Sequence, residues 1–522
     1  MKGEGVHMNL SDFSCNRRNF LGRSIAAFAG TMAVFLPAHS IPKDPKAPHR
    51  EMDNDSGSSF KSNTILIENG FVITMDAKRS IYPQGKVLIK DGKIAEVGER
   101  LKSRAKPDLI LNGKQKLVLP GFVNAHAHLQ QYFRGVYELI GDFYKVNLPL
   151  EGYRTPEDMD TLGASSCAEL IYGGCTTSLI IYTYPHGFAK AVEKAGNRCV
   201  LAADIEQVDL NALKDGTYKY LPEKGEAAFQ RAVDLYHNWQ GKAEGRITTC
   251  MCPKAADLVL PEIYVKVRDF ARKHNLRITT HLSQTSREFK HVQKLYGKTS
   301  TQHLLEMGIL DEKLTGVHCD YITESDLQLI LKSGMSILHC HSVENPLLRW
   351  RDLGIKVGLG TDDYFHDMIP LLRKNLWGQS IRARFIESDE MVSASNRTRQ
   401  LTYYDLLELA TIAGAKAIGM DKEIGSLEAG KKADIITVDL NNPYLTPTRD
   451  PITSFVLYGS SRDIDNVLVD GRFLKRDGQL TTIDLVETLS AAQVRVEYII
   501  DKFFKEHPEQ KNAWESKVPY RI

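Results

Sequence analysis

The stretch Leu119-Pro120-Gly121-Phe122-Val123-Asn124-Ala125-His126-Ala127-His128 sets an apolar run directly before two histidines spaced i, i+2. On a β-strand that spacing turns both imidazoles to one face. Neutral imidazole is a common ligand for zinc and similar divalent ions, so the pair could hold a metal. Taken alone it says little, because the chain has 16 histidines and a second such pair in His339 and His341. Two uncoordinated rings account for an isolated pair just as simply.

Three further polar residues follow apolar, strand-like runs in the same way. Asn275-Leu276-Arg277-Ile278-Thr279-Thr280 leads into His281, Leu314-Thr315-Gly316-Val317 into His318, and Ile355-Lys356-Val357-Gly358-Leu359-Gly360-Thr361 into Asp362. Each run comes after a helical-looking segment, so strand, ligand candidate and helix alternate. In a (β/α)8 barrel the C-terminal strand ends converge on one site. Four strand ends carrying His-x-His, His, His and Asp would therefore meet around a metal. Asp362 could instead cap a helix beginning near Tyr364.

At these residues the chain resembles the amidohydrolase superfamily, in the branch of cytosine, guanine and methylthioadenosine/adenosylhomocysteine deaminases and triazine hydrolases. The resemblance runs from about Asn63 to Gln479 and has a second block in Ala410-Thr411-Ile412-Ala413-Gly414-Ala415-Lys416-Ala417-Ile418-Gly419, followed by Ile424-Gly425-Ser426-Leu427-Glu428-Ala429-Gly430-Lys431-Lys432-Ala433-Asp434-Ile435. It implies that His126, His128, His281 and Asp362 bind one divalent ion, zinc first, with iron or manganese as alternatives. It also implies that His318 faces the water activated there. Such an ion lowers the pKa of bound water from about 15.7 towards 7. Asp362 would then take the water's proton and deliver it to the leaving group.

The match departs at Gln284, where the related deaminases carry a glutamate that protonates a ring nitrogen. An amide donates and accepts hydrogen bonds but cannot shuttle a proton. Gln284 is expected to hold a substrate group, and Glu288, one helical turn on, could replace the missing acid only by facing inward. Lys254 stands where the branch has a histidine. It is expected to contact substrate or solvent, the alternative being a carbamylated bridge between two metals. The Asp362-Asp363 pair also differs from the branch pattern and puts Asp363 among the candidate substrate contacts. Gln130, Gln131, Tyr132 and Arg134 after the first barrel strand, Tyr182, Tyr184 and His186 after the second, residues 341–345 after the seventh, and Tyr364, His366 and Asp367 complete the expected lining. His339 is read as a satisfied barrel histidine.

The elements that must position these residues follow from the same patterns. Thr64–Gly70 and Lys86–Ile94 are β-rich runs with Asn-Gly and Asp-Gly turn signals, and Val467-Leu468-Val469-Asp470-Gly471 repeats that grammar near the other end. The fold class expected is α/β, a (β/α)8 TIM-like barrel inserted in a small composite β-sandwich domain. The sandwich would take residues 63–119 and 421–482, and the barrel 120–420. A helical extension over 483–522 would dock through Leu485, Leu489, Ala492, Val496, Ile499 and Phe503.

A net charge of +2 with 42% hydrophobic residues gives no electrostatic case for nucleic acid or an anionic membrane, which leaves a small-molecule substrate. Residues 1–40 resemble a twin-arginine signal: Asn16-Arg17-Arg18-Asn19-Phe20-Leu21, an apolar stretch from Ile25 to Leu36, then Ala38-His39-Ser40. That implies passage through the twin-arginine machinery to a bacterial periplasm, with no stable membrane anchor after cleavage and residues 41–62 as a flexible linker. Cleavage after Ser40 would leave seven of the eight cysteines, so no disulfide framework is expected. The rival readings are a non-catalytic metal-containing binding protein and a scaffold that forms a homo-oligomer through the C-terminal helix.

Overall fold

The computed structural model describes residues 64–128, 134–141, 146, 148–213, 215–340, 342, 345–363, 365–385 and 401–518. The expected signal segment, the linker and Gln130, Gln131, Tyr132, His341 and Tyr364 lie outside the described residues. Five strands precede the barrel: β1 (Thr64–Ile73), β2 (Ile81–Lys90), β3 (Lys93–Gly98), β4 (Leu109–Asn112) and β5 (Lys116–Pro120). The barrel strands are β6 (Phe122–Ala127), β7 (Cys175–Tyr182), β8 (Arg198–Ile205), β9 (Ile247–Thr249), β10 (Cys252–Pro253), β11 (Ile278–Leu282), β12 (Leu314–His318), β13 (Ser336–His339) and β14 (Lys356–Leu359). After them come β15 (Ile435–Asp439), β16 (Ile464–Val469), β17 (Arg472–Arg476) and β18 (Gln479–Leu480).

The strands outside the barrel form one nine-stranded sheet in the order β18-β17-β16-β15-β5-β1-β2-β3, with β4 also paired to β1. Its seam is the antiparallel pair β15–β5, in which Ile435 faces Pro120 and Asp439 faces Lys116. The segments before and after the barrel thus share a sheet and a core, in which Ile65, Ile67, Val87 and Val118 pack with Leu427, Ile435 and Leu468. Asp91-Gly92 and Asp470-Gly471 make the expected hairpin turns, all four residues lying at φ between 48° and 77°, as a type I′ turn requires. Asn69-Gly70 does not end a strand. Asn69 lies at φ 62° inside β1, and the register with β2 shifts there, so the pair is a bulge in a continuous strand.

The barrel strands pair in parallel from β6 through β7 to β8, whose neighbours β9 and β10 are two pieces of one broken strand. Bridges Met251–Ile278 and Ala255–His281 carry the sheet to β11, and β11 to β14 continue it. The bridge Ala127–Asp362 brings it back to β6 and closes an eight-stranded barrel. Its strands are buried almost throughout, which is why they read as unbroken apolar runs. The helices deliver the strands in register. Pro261–His274, for instance, starts with proline, ends on Arg272-Lys273-His274 and stops at Asn275 in the left-handed region at φ 58°, three residues before β11.

The C-terminal helix Leu485–Glu506 buries Ala492, Ile499, Phe503 and Phe504. Leu489, expected on that face, is half exposed instead, because the helix leans on the chain mainly through its C-terminal half. Toward the other end of the barrel Arg198, at the start of β8, is buried against the sheet. Its Nε and Nη2 donate to Asp434 Oδ2 and Oδ1 at 3.0 and 3.1 Å, and Nη2 also to Asp470 Oδ1 at 2.7 Å. Removing one partner of a buried ion pair strands the others' charge at a cost of about 3–5 kcal/mol. Arg198→Met should accordingly lower stability to chemical denaturation by about that amount, whereas a loss under about 1 kcal/mol would mean the site is wetter than its packing implies.

Candidate metal centre

His126 lies in β6 and His128 directly follows it, His281 lies in β11, His318 closes β12 and Asp362 follows β14, so the five predicted residues meet at one mouth of the barrel. All five are buried. Nε2 of His126 and of His128 lie 3.7 and 3.8 Å from Asp362 Oδ1, and His318 Nε2 lies 3.9 Å from Oδ2. Donor atoms of His126, His281 and His318, and of His126, His128 and Asp362, fall within 4.8 Å of one another.

Hydrogen bonding fixes which nitrogens can ligate. His128 Nδ1 lies 3.2 Å from the Ile181 carbonyl and His281 Nδ1 2.8 Å from that of Lys254. A carbonyl only accepts, so each Nδ1 carries the proton and each Nε2 keeps its lone pair. Those two Nε2 atoms stand 3.1 Å apart. Two lone pairs held that close need a cation between them. Both ring nitrogens of His126 are buried without a hydrogen bond, as suits a metal-binding ring.

Three of the donors, His128, His281 and Asp362, are in the right charge state. Burial lowers the His281 pKa to about 4 and that of His128 well below the ordinary value of 6.5. Burial pushes Asp362 upward, but His126 and His318 beside it more than offset this and hold the carboxyl ionised. Neutral imidazoles with one carboxylate are a zinc-type donor set.

The backbone that holds Asp362 is the barrel's closing seam. Asp362 N–H donates to the His126 carbonyl and His128 N–H to the Asp362 carbonyl, each at 3.1 Å. Gly360 makes this approach feasible, since a β-carbon there would sit 2.6 Å from His126 Cβ and 2.8 Å from its carbonyl oxygen. Asn124 clamps the same seam, donating from Nδ2 to Thr361 Oγ1 at 2.7 Å and accepting from Thr361 N at 3.0 Å. Ser283, His318, Cys319 and Asp362 all have positive φ, between 50° and 70°. Non-glycine residues hold that conformation at a cost of about 1–3 kcal/mol each, typically where function needs it.

Other expected residues lie elsewhere. Asp362 caps no helix: the next one is Met368–Phe385, and Asp367 accepts from Ile369 N instead. Glu288 does face inward, but its oxygens accept from Ser283 N, Gln284 N and Ser300 Oγ, all at 2.8 Å, so it braces the turn after His281. Gln284 is half-buried on that turn. The Lys254 ammonium pairs with Asp204 at 3.3 Å and Glu206 at 3.1 Å. Burial opposes its charge, yet the two carboxylates raise its pKa well above the lysine norm, which removes the neutral amine that carbamylation needs. Arg134 is committed to Glu169 at 2.7 and 2.8 Å. Glu169 in turn meets His366 Nδ1 at 3.0 Å, and His366 Nε2 donates to the His128 carbonyl at 3.1 Å. His186 accepts from Trp239, and His339 pairs with Asn345. All seven described cysteines are free and buried. Sequence reasoning passed over two of the site's residues, Asn124 and Cys340. Cys340 follows β13 just as the ligand candidates follow their strands, and its sulfur lies within 4.8 Å of donors of His318 and Asp362.

Protons compete with metal for these rings only once the rings themselves titrate. With His281 depressed to about 4, zinc uptake by metal-free protein should stay nearly level as pH falls through 6.5 and be lost only towards about 4. Equilibrium dialysis across that range is the check. A midpoint near 6.5 would show solvated rings and contradict the buried geometry.

Residues 117–474 match the amidohydrolase family. The 5-methylthioadenosine/S-adenosylhomocysteine deaminase of Caldanaerobacter subterraneus subsp. tengcongensis is 29% identical over 453 residues, covering 84% of this chain and 98% of that protein. The 5'-deoxyadenosine deaminase of Methanosarcina mazei is 29% identical over 458 residues, with coverage of 84% and 98%. Among solved structures, an adenosine deaminase from Xanthomonas campestris with bound zinc superposes with a TM-score of 0.73 at 22% identity, over 84% of this chain and 98% of its own. A triazine hydrolase from Arthrobacter aurescens gives 0.73 at 20% identity, over 83% and 99%. These structures share the fold, a barrel whose mouth here gathers three imidazoles and a carboxylate around the place of one divalent ion. On the match over most of its length, the chain belongs to the amidohydrolase family.

Proposed function

We propose that the protein hydrolyses a carbon–nitrogen bond other than a peptide bond in a small molecule, by deamination of an aminated N-heterocycle. The observation that carries this is the convergence of His126, His128, His281 and Asp362 donors in a chain whose relatives are deaminases of adenosine derivatives. Bound there, a divalent ion would acidify water and polarise the ring carbon under attack. Asp362, held ionised by its histidine neighbours, accepts the proton of the attacking water and passes it to the departing amine. His318 is placed across Asp362 to orient the water or steady the developing negative charge. Gln284 offers the ring a hydrogen bond without a proton, so ring protonation must come from elsewhere or be dispensable. That substitution favours a second reading, amide or cyclic-amide hydrolysis or displacement of a halide, which needs no protonated ring nitrogen.

We also infer that the chain is exported folded through the twin-arginine pathway to the periplasm, on the strength of Arg17-Arg18 before the apolar run to Leu36. No helix among the described residues is long and apolar enough to cross a membrane. The nine-stranded sheet we read as folding over its own core into a composite sandwich, and a homo-oligomer would use the C-terminal helix.

Two measurements test these readings. Zinc-loaded protein should release ammonia from 5'-deoxyadenosine or related aminopurines. Asp362→Asn should cost about 10²–10⁴-fold in turnover, and Gln284→Glu should raise it if the missing proton limits the rate. Amine release from amides but not from aminated rings would move the assignment to the second reading, an Asp362→Asn variant as active as wild type would remove Asp362 from the proton relay, and zinc binding with no release from any of these compounds would favour the binding-protein reading. Fractionation of cells producing the full chain should find it outside the cytoplasm, and Arg17→Lys with Arg18→Lys should retain it inside. Cytoplasmic wild-type protein would rule out export.

A further inference from the structure

We propose that the barrel mouth has a second, sulfur-lined cation position formed by His318, Cys340 and Asp362. It would take zinc or a softer divalent ion such as cadmium, beside the ion held by His126, His128 and His281. Cys340 follows β13 and is buried, with 1% of its surface exposed. Its sulfur, a ring nitrogen of His318 and a carboxylate oxygen of Asp362 all lie within 4.8 Å of one another. Among the described residues no group held that closely joins the sulfur to His126, His128 or His281. The sulfur therefore stands on the His318 side of Asp362, where it serves a separate position and adds no fifth ligand to the first.

Asp362 is turned to serve both positions. Its Oδ1 lies 3.7 and 3.8 Å from Nε2 of His126 and His128, whereas its Oδ2 lies 3.9 Å from Nε2 of His318. Two donors on one tetrahedral zinc ion, with bonds of about 2.0–2.3 Å, stand about 3.5 Å apart. Each oxygen is thus a small adjustment from sharing an ion with the imidazoles it faces. A carboxylate has lone pairs on both oxygens, so one side chain can bridge two ions. The donor set selects the ion: sulfur with an imidazole and a carboxylate suits zinc and softer metals, while magnesium and calcium take oxygen ligands. Ligation exchanges the S–H bond for a sulfur–metal bond and releases the proton to water. An ion here occupies the Asp362 oxygen and the His318 ring that would handle the attacking water. The position is therefore inhibitory, a consequence that rests on the hydrolase reading above, whereas the binding itself does not.

The test is titration of the zinc-loaded full chain with cadmium chloride, followed by ultraviolet absorption, elemental analysis and ammonia release. Wild type should take up one added equivalent of cadmium while keeping its zinc, and should develop a cadmium–thiolate charge-transfer band. Cys340→Ser should lose both the band and the added equivalent. No band in wild type, a band that survives in Cys340→Ser, or zinc expelled as cadmium enters overturns the proposal. Should the serine variant fail to fold, X-ray absorption at the cadmium edge of wild type decides: one sulfur beside nitrogen and oxygen neighbours upholds the position, and none overturns it. The ammonia assay keeps the two readings apart. A band with undiminished ammonia release upholds the position and removes His318 and Asp362 from the reaction, and loss of release without a band does the reverse.

Discussion

The structure depends on one backbone contact, the pairing of β6 with the segment after β14. Two hydrogen bonds, His128 N–H to the Asp362 carbonyl and Asp362 N–H to the His126 carbonyl, close the barrel and at the same time fix three of the metal donors relative to one another. Closing a sheet leaves no edge. Here it also leaves no freedom for the ligands at the seam to drift apart. Gly360 removes the β-carbon that would separate the strands, and Asn124 spans the join with two bonds to Thr361. Fold and centre are therefore one construction.

Burial then sets the chemistry. Within the barrel mouth His128 and His281 lose the stabilisation that water would give their charged forms, so they stay neutral and keep the lone pairs that a metal uses. The same desolvation makes an ionised carboxylate expensive, and Asp362 stays ionised only because the histidines crowd it. Beside this set Lys254 is paired with Asp204 and Glu206. The surrounding bonds are positional: Glu288 on the Ser283–Gln284 turn, and the Arg134–Glu169–His366 chain that ends on the His128 carbonyl.

Much of this was legible in the sequence for a definite reason. Parallel barrel strands are buried on both faces and read as plain apolar runs, so the first polar residue after each run stands out. That rule found His126, His128, His281, His318 and Asp362. The same rule applies to Cys340, which follows β13, although the sequence reading does not single it out. Interactions between residues far apart in sequence were not legible. The Arg134–Glu169 pair and the Lys254–Asp204–Glu206 group join residues on different strands and helices, and no local pattern announces them. Asn69-Gly70 misled because the same dipeptide serves a turn and a bulge, and only the partner strand decides between them. Leu489 misled because helical period shows which residues share a face but not how far along the helix that face stays covered.

The nine-stranded sheet carries a consequence for how the molecule comes into being. Its central strand β5 immediately precedes β6, yet β5 has β1 on one side and β15 on the other, and β15 lies more than three hundred residues away along the chain. A ribosome emits the first half of this sheet long before the half that completes it. Until Ile435–Asp439 emerges, one flank of β5 has open backbone hydrogen bonds, and the barrel anchored to it has no finished floor beneath Arg198. Contacts between such distant segments form slowly, since loop closure must precede them. The sheet that carries the barrel is therefore completed late, when the segment bearing β15 joins the strand that leads into β6.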